Sequence, residues 1–144
     1  MTEPTQSGAA SPRPSAAAIP FSAHVRVPEF DSRDGQTEFE FVVEEIHLRH
    51  GGVMHGGMVA TLLDTAIGHA AYSSAPEGAE VMTMQLNINM TATARLGDRV
   101  IASAKTVHGG RRTAVVTGEL RLASGKLIAS GSATMFILPE GVRS

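Results

Sequence analysis

One acidic residue stands alone in a long apolar segment: Asp64, inside GMVATLLDTAIGHAAYSS, residues 57–74. A carboxylate kept out of bulk water has a use in ester or thioester hydrolysis. It can attack an acyl carbon itself, or take a proton from an attacking water. The residues before it, RHGGVMHGG from Arg49 to Gly57, include four glycines in nine positions, so backbone can come close to a ligand there. If a helix begins at His55 to Met58, its first N–H groups lack intrahelical partners and lie at the positive end of the dipole. Donors of that kind, held where an oxyanion develops, are typically worth about 3 kcal/mol each. The other reading of Asp64 is a buried polar residue bonded to a threonine or to backbone, since buried carboxylates are often structural.

The periodicity around Asp64 supplies the helix. Met58 and Val59, Leu62 and Leu63, Ala66 and Ile67, Ala70 and Ala71 recur every four residues, and Pro76 and Gly78 end the pattern. That is one apolar stripe on a helix over 57–74. At about 100° per residue, Asp64 points away from the stripe, on a side shared with Gly57, Thr61 and Gly68. A water-exposed helix would carry several Lys, Glu or Arg residues there, and this one carries none. That side is therefore expected to be covered by another element or subunit, with Asp64 in a crevice. About 10 Å along the axis separates Asp64 from the helix start, so a loop or a partner must complete the geometry.

Strands surround this helix. Thr37 to Leu48 reads as a strand whose apolar phase slips after Val43, which predicts a bulge near Glu44 and Glu45 or two strand pieces. Val81 to Thr91 alternates strictly, with Met82, Met84, Leu86, Ile88 and Met90 on one face and Thr83, Gln85, Asn87 and Asn89 on the other. Gly97 and Asp98, Gly109 and Gly110, and Ser124 and Gly125 mark turns between strands at 99–108, 112–122 and 126–138, an antiparallel meander. Residues 21–30 are either a short strand or an irregular lead-in. Residues 1–20, rich in Ser, Ala, Pro and Thr, are expected to form a disordered tail, leaving one domain over 21–140. The order strand, long helix, four strands gives an α+β fold. One helix covers only one face of a sheet, so a homo-oligomer is expected.

Composition narrows the function. A chain of 144 residues suits a single domain, and a formal net charge of −2 argues against a protein that coats nucleic acid. The absence of cysteine excludes a disulfide framework, a thiolate zinc site and a cysteine nucleophile, and fits a reducing cytoplasm. No apolar run approaches the roughly 20 residues that span a bilayer. The N-terminus has neither the basic start nor the apolar centre of a secretory signal. His47, His50 and His55 lie in or beside a glycine-rich loop without helical HxxxH spacing, so no metal site is expected and His55 is expected to cap or orient the helix start. His69 diverges from Asp64 by about 140° on the wheel. Ser73 and Ser74 lack a nucleophile elbow.

HGGMVATLLDTAIG, from His55 to Gly68, together with LGDRV and GRRT downstream, closely resembles the HGG-x6-D helix signature of PaaI-type and hydroxybenzoyl-CoA thioesterases, and the likeness runs from about Phe39 to Leu138. The resemblance implies a hotdog fold, an antiparallel sheet wrapped around the helix. It implies dimers with a continuous sheet, commonly paired into tetramers, active sites at the subunit interface, and no metal or cofactor. Asp64 would be nucleophile or general base, the Gly56 N–H would polarise the thioester carbonyl, and Thr83 would help place water. Arg111 or Arg112 in HGGRRT would hold CoA phosphates, with Gly110, Thr113 and Asn87 alongside. One departure stands out. Family members usually carry Asn or Gln six residues before the motif histidine, and this chain has Arg49, followed by His50. Either residue takes over the polar role, or the activity is altered. An arginine near Asp64 would stabilise its anion. The resulting expectation is hydrolysis of an aromatic or medium-chain acyl-CoA in the cytoplasm. The alternatives are a non-catalytic acyl-CoA binding or sensing protein, and a hotdog dehydratase or hydratase, whose pattern places a catalytic histidine beside the acid.

Overall fold

The computed structural model describes residues 15–142. Three segments that alternate apolar with polar residues build the middle of its sheet. They are β4 (Arg99–Gly109), β5 (Thr113–Leu122) and β6 (Leu127–Leu138), joined by short turns into the expected meander. β2 (Gln36–Val42) adds antiparallel to β4, and β3 (Glu80–Met90) adds antiparallel to the far side of β6. A two-residue strand, β1 (Ser32–Arg33), completes the order β1-β2-β4-β5-β6-β3. The long helix α2 (Gly56–Ser74) carries the chain across one face of this sheet, between β2 and β3. This is the α+β hotdog arrangement that the sequence implies.

The helix sits down on the sheet through its apolar stripe. All eight stripe residues, Met58 through Ala71 in pairs, are buried. They meet Val100 and Ala102 of β4, Ala114, Val116 and Leu120 of β5, and Ala129, Ala133 and Met135 of β6 in one core. Two glycines let the layers come close. A Cβ at Gly118 would lie 3.1 Å from Ile67 Cγ1, and one at Gly131 would lie 2.9 Å from the Asn87 carbonyl oxygen and 3.5 Å from Leu63 Cδ1. The sheet's other face is polar, with Ser103, Thr117, Ser130, Ser132, Asn87 and Asn89. Among the described residues no helix is long and apolar enough to cross a membrane.

Several local expectations are corrected. The expected tail falls outside the described residues as far as position 14. A 3-10 turn, Ala16–Ala18, follows, and Ala16 is fully buried in the core. The segment after it is neither strand nor irregular at its start. Pro20 fixes φ at the first position of a short helix, α1 (Pro20–His24). The phase slip after Val43 is not a bulge or a second strand but a 3-10 turn, Glu45–His47. Asp34 and Gly35, both with positive φ, form a tight two-residue hairpin between β1 and β2.

The strict alternation of β3 is also broken. Thr83 pairs with Met135 and Gln85 pairs with Thr134, which leaves Met84 as an extra residue. This bulge shifts the phase, so Val81 and Thr83 face the helix together with Leu86 and Ile88, and Met82 faces outward. Directly opposed residues share a face. Thr83 lies opposite Met135, which is 1% exposed, and Val81 lies opposite Ile137, which is 4% exposed. β3 is an edge strand of this chain, and Met82, Met84 and Met90 on it are exposed.

Candidate functional site

The site begins with a structural histidine. His47, 2% exposed, lies beneath the loop that leads into α2. Its Nδ1 accepts from the Glu44 N–H at 2.9 Å, so its Nε2 carries the proton and donates to the Val25 carbonyl at 2.8 Å. Its carbonyl accepts from the His55 N–H at 2.8 Å. With both ring nitrogens engaged, His47 fixes where α2 starts.

Between them, residues 49–53 form a tight loop closed by Arg49 N–H to the Val53 carbonyl, 2.8 Å, with Gly51 and Gly52 at positive φ. Arg49 and His50 are both exposed. The Arg49 guanidinium turns back on its own loop and donates to the His50 carbonyl at 2.7 Å. His55 is the N-cap, and its Nδ1 accepts from the Gly57 N–H at 2.8 Å. The cap engages Gly57 and leaves the Gly56 N–H, at the first helical position, without an intrahelical partner. A Cβ on Gly56 would lie 3.5 Å from Met90 Sδ, so the Met90 thioether lies beside this amide.

Two turns along, Asp64 meets Thr83. The Thr83 hydroxyl donates to Asp64 Oδ1 at 2.8 Å. The bulge at Met84 makes this contact possible, because it keeps Thr83 on the helix face while the rest of β3 stays in phase with β6. Among the described residues no lysine, arginine or histidine forms an ion pair with Asp64. The pair lines a groove of about 640 Å³ between α2, β3 and the N-terminal segment. Its other walls are mainly apolar or small: Ile19 and Phe21, Gly68 and Tyr72, Val81 and Leu86. A carboxylate with one oxygen held by a hydroxyl, beside an apolar trough, can orient a water or attack an acyl carbon lying in that trough.

The structure does not bring every candidate residue to this point. Gly56, His55, Arg49 and His50 gather at the helix start. Eight residues separate Gly56 from Asp64, about 12 Å along the axis. Gly110, Arg111, Arg112 and Thr113 form the β4–β5 turn, where Gly110 N–H donates to the Thr113 carbonyl at 2.8 Å and both arginines are exposed. Arg112 is tied to the sheet by the Ile137 N–H, 2.7 Å, and Ile137 pairs with Val81. Strand and residue spacings then put the turn about 12 Å from Thr83. Asn87 lies on the polar outer face, across the sheet from Asp64. Ile19, Phe21 and Ser22 line the groove without having been singled out in the sequence. The signal was the apolar pair Ile19 and Phe21 around Pro20, the proline of a helix start.

Residues 51–129, more than half of the chain, match the model of the thioesterase superfamily. A human protein named acyl-coenzyme A thioesterase 13 is 35% identical over 101 residues, covering 69% of this chain and 71% of that protein. The crystal structure of a hypothetical thioesterase protein with coenzyme A from Streptococcus pneumoniae is similar at a TM-score of 0.71 and 29% identity, covering 79% of this chain and 85% of that one. A mutant of the phenylacetic acid degradation protein PaaI from Thermus thermophilus is similar at a TM-score of 0.67 and 28% identity, over 74% and 88% of the two chains.

Proposed function

This chain belongs to the thioesterase superfamily, and from that premise we propose that it hydrolyses an acyl-CoA to a free acid and CoA, with Asp64 as the catalytic carboxylate. The observation that carries the reading is the Asp64–Thr83 hydrogen bond, 2.8 Å, on the wall of an apolar groove. A water beside the second carboxylate oxygen gives its proton to Asp64 as its oxygen attacks the acyl carbon. The carbonyl oxygen becomes an oxyanion, held by the Gly56 N–H. Collapse breaks the carbon–sulfur bond, and the departing thiolate takes the proton back from Asp64. In the covalent form of the same chemistry Asp64 attacks first and the carbon–sulfur bond breaks to expel the CoA thiolate; water then opens the anhydride, freeing the acid and the Asp64 carboxylate, and its proton goes to the thiolate. Oxygen-18 from labelled water enters Asp64 when water opens the anhydride at the Asp64 carboxyl carbon, and enters the product acid alone when water attacks the acyl carbon. Water is the only co-reactant.

One chain cannot present both groups to one carbonyl, because Gly56 and Asp64 lie about 12 Å apart along one helix. A homodimer that sets the helix start of one copy against Asp64 of the other completes the site. The open edge of β3, with exposed Met82 and Met84, is a surface for such pairing. Arg111 and Arg112, exposed and outside any ion pair among the described residues, are suited to CoA phosphates. A cytoplasmic location, where acyl-CoA is at hand, belongs to the same reading.

Thiol release measured over a panel of aliphatic and aromatic acyl-CoA thioesters tests this function. Steady release of CoA with stoichiometric free acid is expected. Tight binding of acyl-CoA without release would replace the hydrolase reading with that of an acyl-CoA binding protein.

A further inference from the structure

Nothing packed against Gly68 within this chain requires a glycine there. It lies inside α2, where glycine is destabilising relative to alanine. Gly118 and Gly131 are explained by atoms that a Cβ would crowd. At Gly68, apart from its chain neighbours and the backbone of its own helix turns, no described atom lies within 4 Å of the Cβ position. The open space belongs to the groove that holds Asp64, one helical turn earlier. Its walls at this level are mostly apolar: Val81 and Met135 from the sheet, Ile19 and Phe21 from the N-terminal segment, and Tyr72 one turn further on, with Thr65 and His69 of the helix and Ser22 as the polar part of the lining. A trough with these walls suits an aliphatic or aryl group, not the polar pantetheine arm and nucleotide of CoA, which must reach solvent.

Length discriminates between acyl classes. From Asp64 to Gly68 the helix rises about 6 Å, and from Asp64 to Tyr72 about 12 Å. A single aryl ring at the thioester would reach only to the level of Gly68. On the reading of this site as that of an acyl-CoA hydrolase, we infer that Gly68 sets the depth of the acyl pocket. A straight chain of about eight to ten carbons passes over it, filling the roughly 12 Å to Tyr72, with its carbonyl beside Asp64 and Thr83 and its methyl end beneath Phe21. A side chain at position 68 would close the trough halfway. Phe21 is 59% exposed in the single chain, as expected of a wall whose inner side faces a ligand.

Binding of S-alkyl-CoA thioethers of increasing length, measured by calorimetry on the full-length protein, tests the inference without hydrolysis. For wild type, affinity rises by up to about fourfold per methylene as far as about nine carbons and then levels off. In Gly68→Leu it levels off at about five carbons, the length that spans one helical turn, while S-ethyl-CoA binds as to wild type. Leucine is a better helix former than glycine, so the variant folds. Phe21→Ala weakens the long thioethers and leaves the short ones unchanged. An equal loss at every length in Gly68→Leu would overturn the inference and make position 68 an interface residue. An unchanged plateau would overturn it as well. Because thioethers are not cleaved, a graded profile together with no thiol release from any thioester would sink the hydrolase reading alone. An active wild type with a flat profile would sink this one alone.

Discussion

Replacing Thr83 with valine removes one hydroxyl, keeps the shape, and keeps a residue that strands favour. The hydroxyl's 2.8 Å bond goes to a carboxylate oxygen, and hydrogen bonds to charged groups contribute about 1.5–3 kcal/mol. Thr83 is exposed in the single chain and Asp64 is half-buried, so water screens the bond and the low end of that range applies. About 1.5 kcal/mol is roughly a tenfold loss of rate when it falls on the transition state. Stability should hardly change, because water can replace the hydroxyl at an exposed position, with an effect within about 0.5 kcal/mol. The assay is thiol release at saturating acyl-CoA, with a thermal melt of each variant. kcat falls about tenfold in Thr83→Val, KM stays near wild type, and Thr83→Ser recovers most of the rate. If kcat in Thr83→Val stays within about twofold of wild type, or if Thr83→Ser is as slow as Thr83→Val, Thr83 does not position the carboxylate.

Other perturbations probe the surroundings. Arg111→Ala with Arg112→Ala raises KM for acyl-CoA about tenfold at low salt with kcat kept, since exposed charge contacts are worth about 1 kcal/mol or less each. The acyl-pantetheine thioester, which lacks the nucleotide phosphates, serves as the control and shows no such rise. His47→Leu leaves the Glu44 N–H and the Val25 carbonyl without their partner, which costs about 3 kcal/mol. A melt then falls by about 10 °C. Chelator treatment of wild type leaves the melt unchanged, as expected of a histidine that supports a loop and holds no metal.

The fold was legible because its main signals are periodic. The four-residue recurrence from Met58 to Ala71 marks α2 and its buried face, and the turns at Gly109, Gly110, Ser124 and Gly125 mark the meander. Asp64 was legible for the same reason, as the one charge in an uncharged rod. Periodicity fails where a single residue changes the phase. Read alone, β3 puts Thr83 among the outward asparagines. Only the pairing with β6 shows the bulge at Met84 that turns Thr83 towards Asp64. The slip after Val43 likewise looked like a bulge, because a 3-10 turn built around a buried histidine has no pattern of its own in one sequence. The wall formed by Ile19 and Phe21 was hidden inside a segment whose composition resembles a linker. Asn87 is the reverse case. Its distance in sequence from Thr83 is short, but it lies on the opposite face of the sheet.

The most direct test is a comparison of Asp64→Asn with wild type in thiol release and in thioether binding, on protein shown to melt normally. Asparagine keeps the shape and can accept the Thr83 hydrogen bond, but it cannot take a proton or form an anhydride. The account predicts a loss in kcat of about a thousandfold, within the range for a lost general base or nucleophile, with thioether affinity retained. Undiminished release by Asp64→Asn, with the variant folded and the ligand bound, would contradict it.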